Sequence, residues 1–160
     1  MAPSYTSRNF MNTALARFTV ARLNRWRSRF SRSNPAHLRL GTRGEKLAAR
    51  YLRRQGFKIL YRNFRGRQGG EIDLVCRERD TLVFVEVKTR TGENYGRPLE
   101  AVSLQKQRRI ALGGLMWLRL LGDPDILFRF DVVEVVMAEG NKPRIELVRD
   151  AFQLPEPYLY

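Results

Sequence analysis

The segment Leu82-Val83-Phe84-Val85-Glu86-Val87-Lys88 constrains the fold more than any other feature of the chain. On a strand, Val83, Val85 and Val87 share one face, and Leu82, Phe84, Glu86 and Lys88 share the other. Both faces begin apolar, the mark of a strand buried on both sides and central in its sheet. Two charges, Glu86 and Lys88, at the end of so apolar a strand need a reason.

The neighbouring segments supply the rest of the sheet. In residues 71–76, Glu71, Asp73 and Val75 share one face and Ile72, Leu74 and Cys76 the other. Only Arg77-Glu78-Arg79-Asp80-Thr81 separates this run from the central strand, so the two read as a hairpin. Upstream, Leu47, Ala48, Tyr51 and Leu52 recur at helical spacing from Thr42, and Gly56 stops the helix. Glu45 in its first turn projects close to Leu52 on the buried stripe, where it also suits the helix N-terminus. Residues 57–64 alternate as a strand, and the glycines at 66, 69 and 70 make a turn into another strand, which rules out a dinucleotide-binding fingerprint. Residues 103–121 form a second helix with Ser103 as N-cap, 128–137 a strong strand, and 144–148 a short one. The order is helix, three strands, helix, strand: an α/β mixed sheet flanked by helices.

Composition limits what this sheet can do. Of 160 residues, 30 are Lys or Arg and 16 are Asp or Glu, a formal net charge of +14 with 43% hydrophobic residues. That suits one ordinary domain and a polyanionic partner. A single cysteine, Cys76, excludes an internal disulfide framework, and with one histidine, His37, Cys/His zinc sites cannot be assembled. With no histidine in the folded part, a Ser-His-Asp triad is excluded, and Cys76 reads as a core thiol. No apolar run is long enough to span a membrane, and no secretory h-region follows the basic residues, so a cytoplasmic location is expected. Residues 1–40 hold eight arginines and no acid, and read as a basic arm, flexible or a short amphipathic helix. A nucleic-acid-contacting extension and a targeting peptide are the alternatives. The expected organisation is this arm, an α/β domain over 41–150 and a tail over 151–160.

The simplest hairpin register, centred between Arg79 and Asp80, sets Asp73 opposite Glu86, Glu71 opposite Lys88 and Val75 opposite Phe84, all on one side of the sheet. Directly opposed side chains have Cβ atoms about 4.5–5.5 Å apart, and like charges so placed repel. A divalent cation turns that repulsion into coordination, and one or two carboxylates are what Mg²⁺ takes from a protein. Lys88, one side-chain position further along, can orient a water or offset charge on a phosphoryl group. Glu45 brings a third carboxylate if its helix covers this face. The same residues also suit a salt-bridge lattice, with Glu71 on Lys88 and Glu86 on an arginine.

Asp73 followed by Glu86-Val87-Lys88 resembles the Asp…Glu-x-Lys core of the PD-(D/E)XK nuclease superfamily, and the element order resembles its restriction-endonuclease-like fold. More closely, Gly44-Glu45, Tyr51-Leu52, Arg62-Asn63, Gly70-Glu71-Ile72-Asp73-Leu74, Val83-Phe84-Val85-Glu86-Val87-Lys88, Arg90, Pro98, Glu100-Ala101-Val102 and Lys106 resemble the YraN-type bacterial proteins, a family similar to archaeal Holliday junction resolvases. The resemblance runs over about 42–137. It implies that Asp73 and Glu86 bind Mg²⁺ or Mn²⁺, that Lys88 is the catalytic lysine and that Glu45 is an additional catalytic glutamate. Ile72 stands where the superfamily motif has proline, and the basic arm matches nothing in the family.

The implied activity is metal-dependent hydrolysis of phosphodiester bonds by a structure-selective DNA endonuclease. Resolvase-like enzymes are often symmetric dimers, which makes a homodimer the implied assembly. Arg62, Arg65 and Arg67 beside the hairpin, and Lys106 and Arg109 at the start of the second helix, are the expected phosphate contacts. The alternative is a non-catalytic nucleic-acid-binding module of the same fold in a DNA repair or uptake assembly. A third reading is a membrane-surface protein that uses the arm.

Overall fold

The computed structural model describes residues 35–67, 69–91, 102–122 and 125–156. Most of the basic arm, residues 1–34, lies outside them, as do Pro98, Glu100 and Ala101.

Helix α1 (Pro35–Arg54) begins earlier than the Thr42 expected from its apolar spacing. Proline is well tolerated in a helix's first turn, where its missing N–H costs nothing. The helix ends as the sequence requires. Gly56 takes φ 90°, and the N–H groups of Gly56 and Phe57 return to the carbonyls of Arg53 and Leu52 at 3.1 and 3.0 Å. This two-bond closure satisfies carbonyls that would otherwise be orphaned, and Phe57 packs in the same core as Leu52.

Strands β1 (Lys58–Arg65), β2 (Glu71–Glu78), β3 (Thr81–Arg90), β4 (Phe128–Val136) and β5 (Arg144–Phe152) form one sheet in the order β1-β2-β3-β4-β5, with helix α2 (Leu104–Leu120) between β3 and β4 in sequence. β3 and β4 pair in parallel, joined by the α2 crossover, and the other neighbours pair antiparallel. This is the α/β mixed sheet expected from the sequence, consistent with a restriction-endonuclease-like arrangement. β5 is longer than the strand over 144–148 that the sequence suggested. β3 is the central strand, and its two faces feed two cores. Val83 and Val85 pack with Ala48, Ala49, Leu52, Leu74 and Cys76 on the α1 side. Leu82 and Phe84 pack with Val75, Ile110, Leu115 and Leu118 on the α2 side.

The β2–β3 register is the expected one: Glu78↔Thr81, Val75↔Phe84 and Leu74↔Val85. Alternation in β2 is less regular than expected. Ile72 does not join Leu74 and Cys76 but packs with Val75 in the α2-side core. The break falls at Asp73. β1 pairs there through Arg62↔Leu74 and Phe64↔Ile72, and Asn63 between them takes φ 53°, a left-handed conformation that asparagine tolerates better than most residues. Helix α2 approaches β2 closely at this end. A Cβ on Gly70 would lie 2.5 Å from the backbone nitrogen of Gly113, and one on Gly113 would lie 2.9 Å from Ile72 Cγ1. Only glycines permit that approach, which carries the first turns of α2 over Glu71. No described helix is long and apolar enough to cross a membrane.

Candidate functional site

The site lies where β2 begins and β3 ends. Glu86 is 2% exposed, held on the central strand by the apolar run before it. Extending the β2–β3 register by one pair puts Asp73 opposite it. In place of a further backbone bond, the Asp73 carboxylate accepts the Val87 N–H at 2.8 Å. Lys88, the next outward residue on the Glu86 face of β3, sets its ammonium 3.1 Å from Glu86 Oε1.

The expected Glu71–Lys88 pair does not form. Glu71 takes Lys106 at 2.6 Å on one oxygen and Arg109 at 2.9 Å on the other, both reaching down from α2. Lys106 also stands 3.1 Å from Glu86 Oε2. That contact is ionic only, since Glu86 Oε2 is buried and makes no hydrogen bond among the described residues. Lys106 is thus a bridge between two carboxylates of the site, not the open phosphate contact expected for it. Arg109 is at the rim, with 53% of its side chain exposed. Arg62, Arg65 and Arg67 are exposed as expected, and Arg65 lies near enough to Glu71 to favour its ionised form.

Proton affinities follow this geometry. Burial, then repulsion from Glu86, pushes the Asp73 carboxyl up to about 8, against the Val87 hydrogen bond and the charge of Lys106. Glu45 adds a smaller repulsion. Burial alone would raise Glu71, but the hydrogen bond and charge of Lys106 overcome it and hold the carboxyl below its usual range. Burial works against the Lys106 ammonium, and Glu86, Glu71 and Asp73 together reverse the balance and raise it. Asp73 is the group whose charge the site compensates least.

Glu45 is half-buried on α1, which covers the opposite face of the sheet from α2. Among the described residues no three His, Cys, Asp or Glu side chains are grouped so as to hold a metal ion. The structure therefore brings together Asp73, Glu86, Lys88 and Lys106, with Glu45 a second-rank neighbour of Asp73. The approach of α1 is nonetheless tight: a Cβ on Gly44 would collide with the Thr89 hydroxyl, so glycine is what lets the middle of α1 sit beside the end of β3. Because α1 starts at Pro35, Glu45 lies mid-helix and not in the first turn expected from the sequence, so it does not serve the helix N-terminus.

A further carboxylate went unnoticed in the sequence. Glu134 is 4% exposed in β4, pairs in register with Lys88 and sits 2.8 Å from Arg90 Nε. A charge inside Val-Val-Glu-Val-Val is the same signal that singled out Glu86 in β3. Cys76 is a buried free thiol, as expected. Burial and then Asp131 push it up to about 12, with Arg53 and Arg62 pulling the other way. Ser103 caps α2, its hydroxyl accepting the Lys106 N–H at 3.3 Å. His37 lies within the span of α1.

Residues 44–135 match the profile of the uncharacterised protein family UPF0102. A UPF0102 protein of Rhodococcus jostii is 54% identical over 116 residues, covering 72% of this chain and 98% of that protein. One from Geobacter sulfurreducens is 50% identical over 115 residues, covering 72% of this chain and 89% of its own length. One from Pelobacter propionicus is 44% identical over 127 residues, covering 78% and 89%. All of the sheet through β4, both core-forming helices and every candidate catalytic residue fall within or beside the matched region, and on these grounds the chain belongs to the UPF0102, or YraN, family.

Proposed function

We propose that the protein is a metal-dependent endonuclease, structure-selective for DNA, in which Asp73 and Glu86 hold Mg²⁺ or Mn²⁺. The observation that carries this reading is the juxtaposition of Asp73 and Glu86, a carboxylate pair whose repulsion is compensated only in part. Hard carboxylate oxygens suit such an ion, and Glu86 Oε2 has no hydrogen bond to give up in accepting one. Bound there, the ion supplies Lewis-acid polarisation of a phosphodiester and a more acidic water.

The chain's own residues do the rest. The Val87 N–H fixes the Asp73 carboxylate. Lys88, held by Glu86 at the mouth of the site, offers its charge to the phosphoryl oxygens as negative charge builds on them. Lys106, 3.1 Å from Glu86 Oε2, orients the Glu86 carboxylate. Hydrolysis adds water to phosphorus and breaks one P–O ester bond, the proton of the water leaving with the departing alkoxide. Paired incisions in a branched substrate need two such sites, so the reading implies a homodimer, acting in the cytoplasm.

Purified protein is expected to cut at least one of a set of branched, flapped and single-stranded DNAs when Mg²⁺ or Mn²⁺ is present. Asp73→Ala, Glu86→Ala and Lys88→Ala should each lower the rate by at least about a hundredfold. Equal inactivity of wild type and variants on every substrate would remove the catalytic reading. The second reading, a binding module that does not cut, is favoured by one observation: Lys106 and Lys88 already stand at both oxygens of Glu86. Under it, nucleic-acid binding falls steeply with salt and the alanine variants bind like wild type.

A further inference from the structure

The exposed face of α1 carries Arg39, Arg43, Lys46, Arg50 and Arg53, with Arg54 beside them, while Ala48, Ala49 and Leu52 on the other face are buried. The first five recur at i, i+4, i+7, i+11 and i+14, which on a helix is one continuous stripe about 21 Å long at ~1.5 Å per residue. Like charges at i, i+4 destabilise a helix by a few tenths of a kcal/mol per pair. None of the six forms an ion pair with a described acid, whereas Arg109, Arg129 and Arg149 each hold a carboxylate. The one acid of α1, Glu45, projects away from the stripe. This is a surface whose charge has no use inside the fold.

Its placement is informative. Gly44, on the buried face of α1, brings the helix against Thr89 at the end of β3, so α1 crosses the sheet at the level of the candidate site with the stripe on its outer face. At its far end the helix turns at Gly56 directly into edge strand β1, whose Lys58 and Arg62 are exposed and carry the positive charge on.

We propose that this stripe, continued onto β1, is a second phosphate-tracking surface that holds a duplex arm of the nucleic acid while Asp73, Glu86 and Lys88 face the phosphate to be cut. The substrate class rests on the nuclease reading above. Charge on one face without base-reading side chains gives affinity without sequence preference. A single strand is the poorer fit, because single-strand grooves stack bases on aromatic side chains and the stripe has none. A lipid surface is poorer too: a membrane-lying helix turns its apolar face to the bilayer, and α1 has committed that face to the core.

The test uses the full chain and a labelled DNA duplex, without divalent ion, titrated between about 50 and 200 mM salt. Arg43→Gln/Lys46→Gln and Arg50→Gln/Arg53→Gln should each weaken binding about tenfold and flatten the log–log salt dependence by roughly two, at ~0.9 for each phosphate no longer neutralised. Lys142→Gln/Arg144→Gln, which removes equal charge beside and on the opposite edge strand β5, should change the affinity less than about twofold. Equal weakening by all three double variants, or an unchanged salt slope, overturns the proposal. So does loss of binding to phosphatidylserine vesicles with duplex binding retained. Wild type that binds duplex through the stripe yet never cuts sustains this inference and removes the nuclease reading; cutting by wild type while the stripe variants bind normally does the reverse.

Discussion

Two clusters of charge lie on the same sheet, one reaching to the β2–β3 turn through Glu78 and the other where β2 begins and β3 ends, and they are balanced differently. In the first, the hairpin cluster, Asp131 is fully buried where the β4–β5 register shifts, and Asp150 alongside takes φ 49°. Arg129 grips both Asp131 oxygens, at 2.8 and 3.0 Å, and the Asp150 N–H adds a third bond at 2.9 Å. Arg129 and Arg149 then share Glu78, whose carboxyl the Arg149 hydrogen bond in particular holds below its usual range, and both guanidiniums lie over the Phe57 ring. At the site Glu86 has Lys88 and Lys106 at 3.1 Å, one on each oxygen, but Asp73 has one backbone N–H and no ion pair among the described residues, and the two carboxylates repel. Burying a charge costs several kcal/mol unless its partners are well placed. The hairpin cluster meets that condition and reads as architecture. The candidate site does not, and its residual repulsion is what a cation could relieve.

The largest effect that tests this contrast is at Asp131. Asp131→Ala leaves Arg129 without its principal partner and the Asp150 N–H without an acceptor, and is expected to cost about 3–5 kcal/mol in urea-induced unfolding. A loss below about 1 kcal/mol would mean that the hairpin cluster is no better integrated than the site.

At Asp73 the expected sign is opposite. Its folded pKa, about 8, lies above the ordinary 3.8, so between those values the folded chain holds more protons than the unfolded one. Stability contributed by this group is then full below about pH 4 and is lost as pH rises towards 8. Asp73→Asn can keep the Val87 hydrogen bond and removes the charge. It should stabilise the chain by about 1–2 kcal/mol at pH 8, far less at pH 5, and abolish metal binding. Destabilisation by the same amount at both pH values would show that Asp73 is as well paired as Asp131.

How much of this was legible in advance depended on the range of the interaction. β3 declared itself because apolar residues on both faces have one explanation, and the two-residue turn at Arg79-Asp80 then fixed which residues of β2 it meets. Gly56 ended α1 for a local steric reason. Lys106 could not be placed that way, since its position depends on α2 docking through Gly113 onto Ile72 and Gly70, a contact between segments far apart in sequence. The face covered by α1, and with it the standing of Glu45, is likewise a tertiary matter, because periodicity says which side of a helix is buried but not which side of the sheet it buries against. The change of face at Asp73 lies beside Asn63 of the neighbouring strand, whose left-handed backbone a period-two reading of β2 does not register.

The smallest effects are expected at the rims, and there the two clusters should converge. Arg149 and Arg109 are close counterparts: their side chains are 46% and 53% exposed, and each donates to a glutamate that a more buried cation already holds, Arg129 on Glu78 and Lys106 on Glu71. Exposed pairs of this kind contribute less than about 1 kcal/mol and weaken further as salt screens them. Arg149→Gln and Arg109→Gln should therefore shift the unfolding midpoint little and by similar amounts, with both differences shrinking in high salt. A loss of several kcal/mol for Arg109→Gln alone would mean that the Glu71 corner is held from outside. The contrast between the clusters would then lie in how each is anchored at its rim, and not in how completely its buried carboxylates are paired.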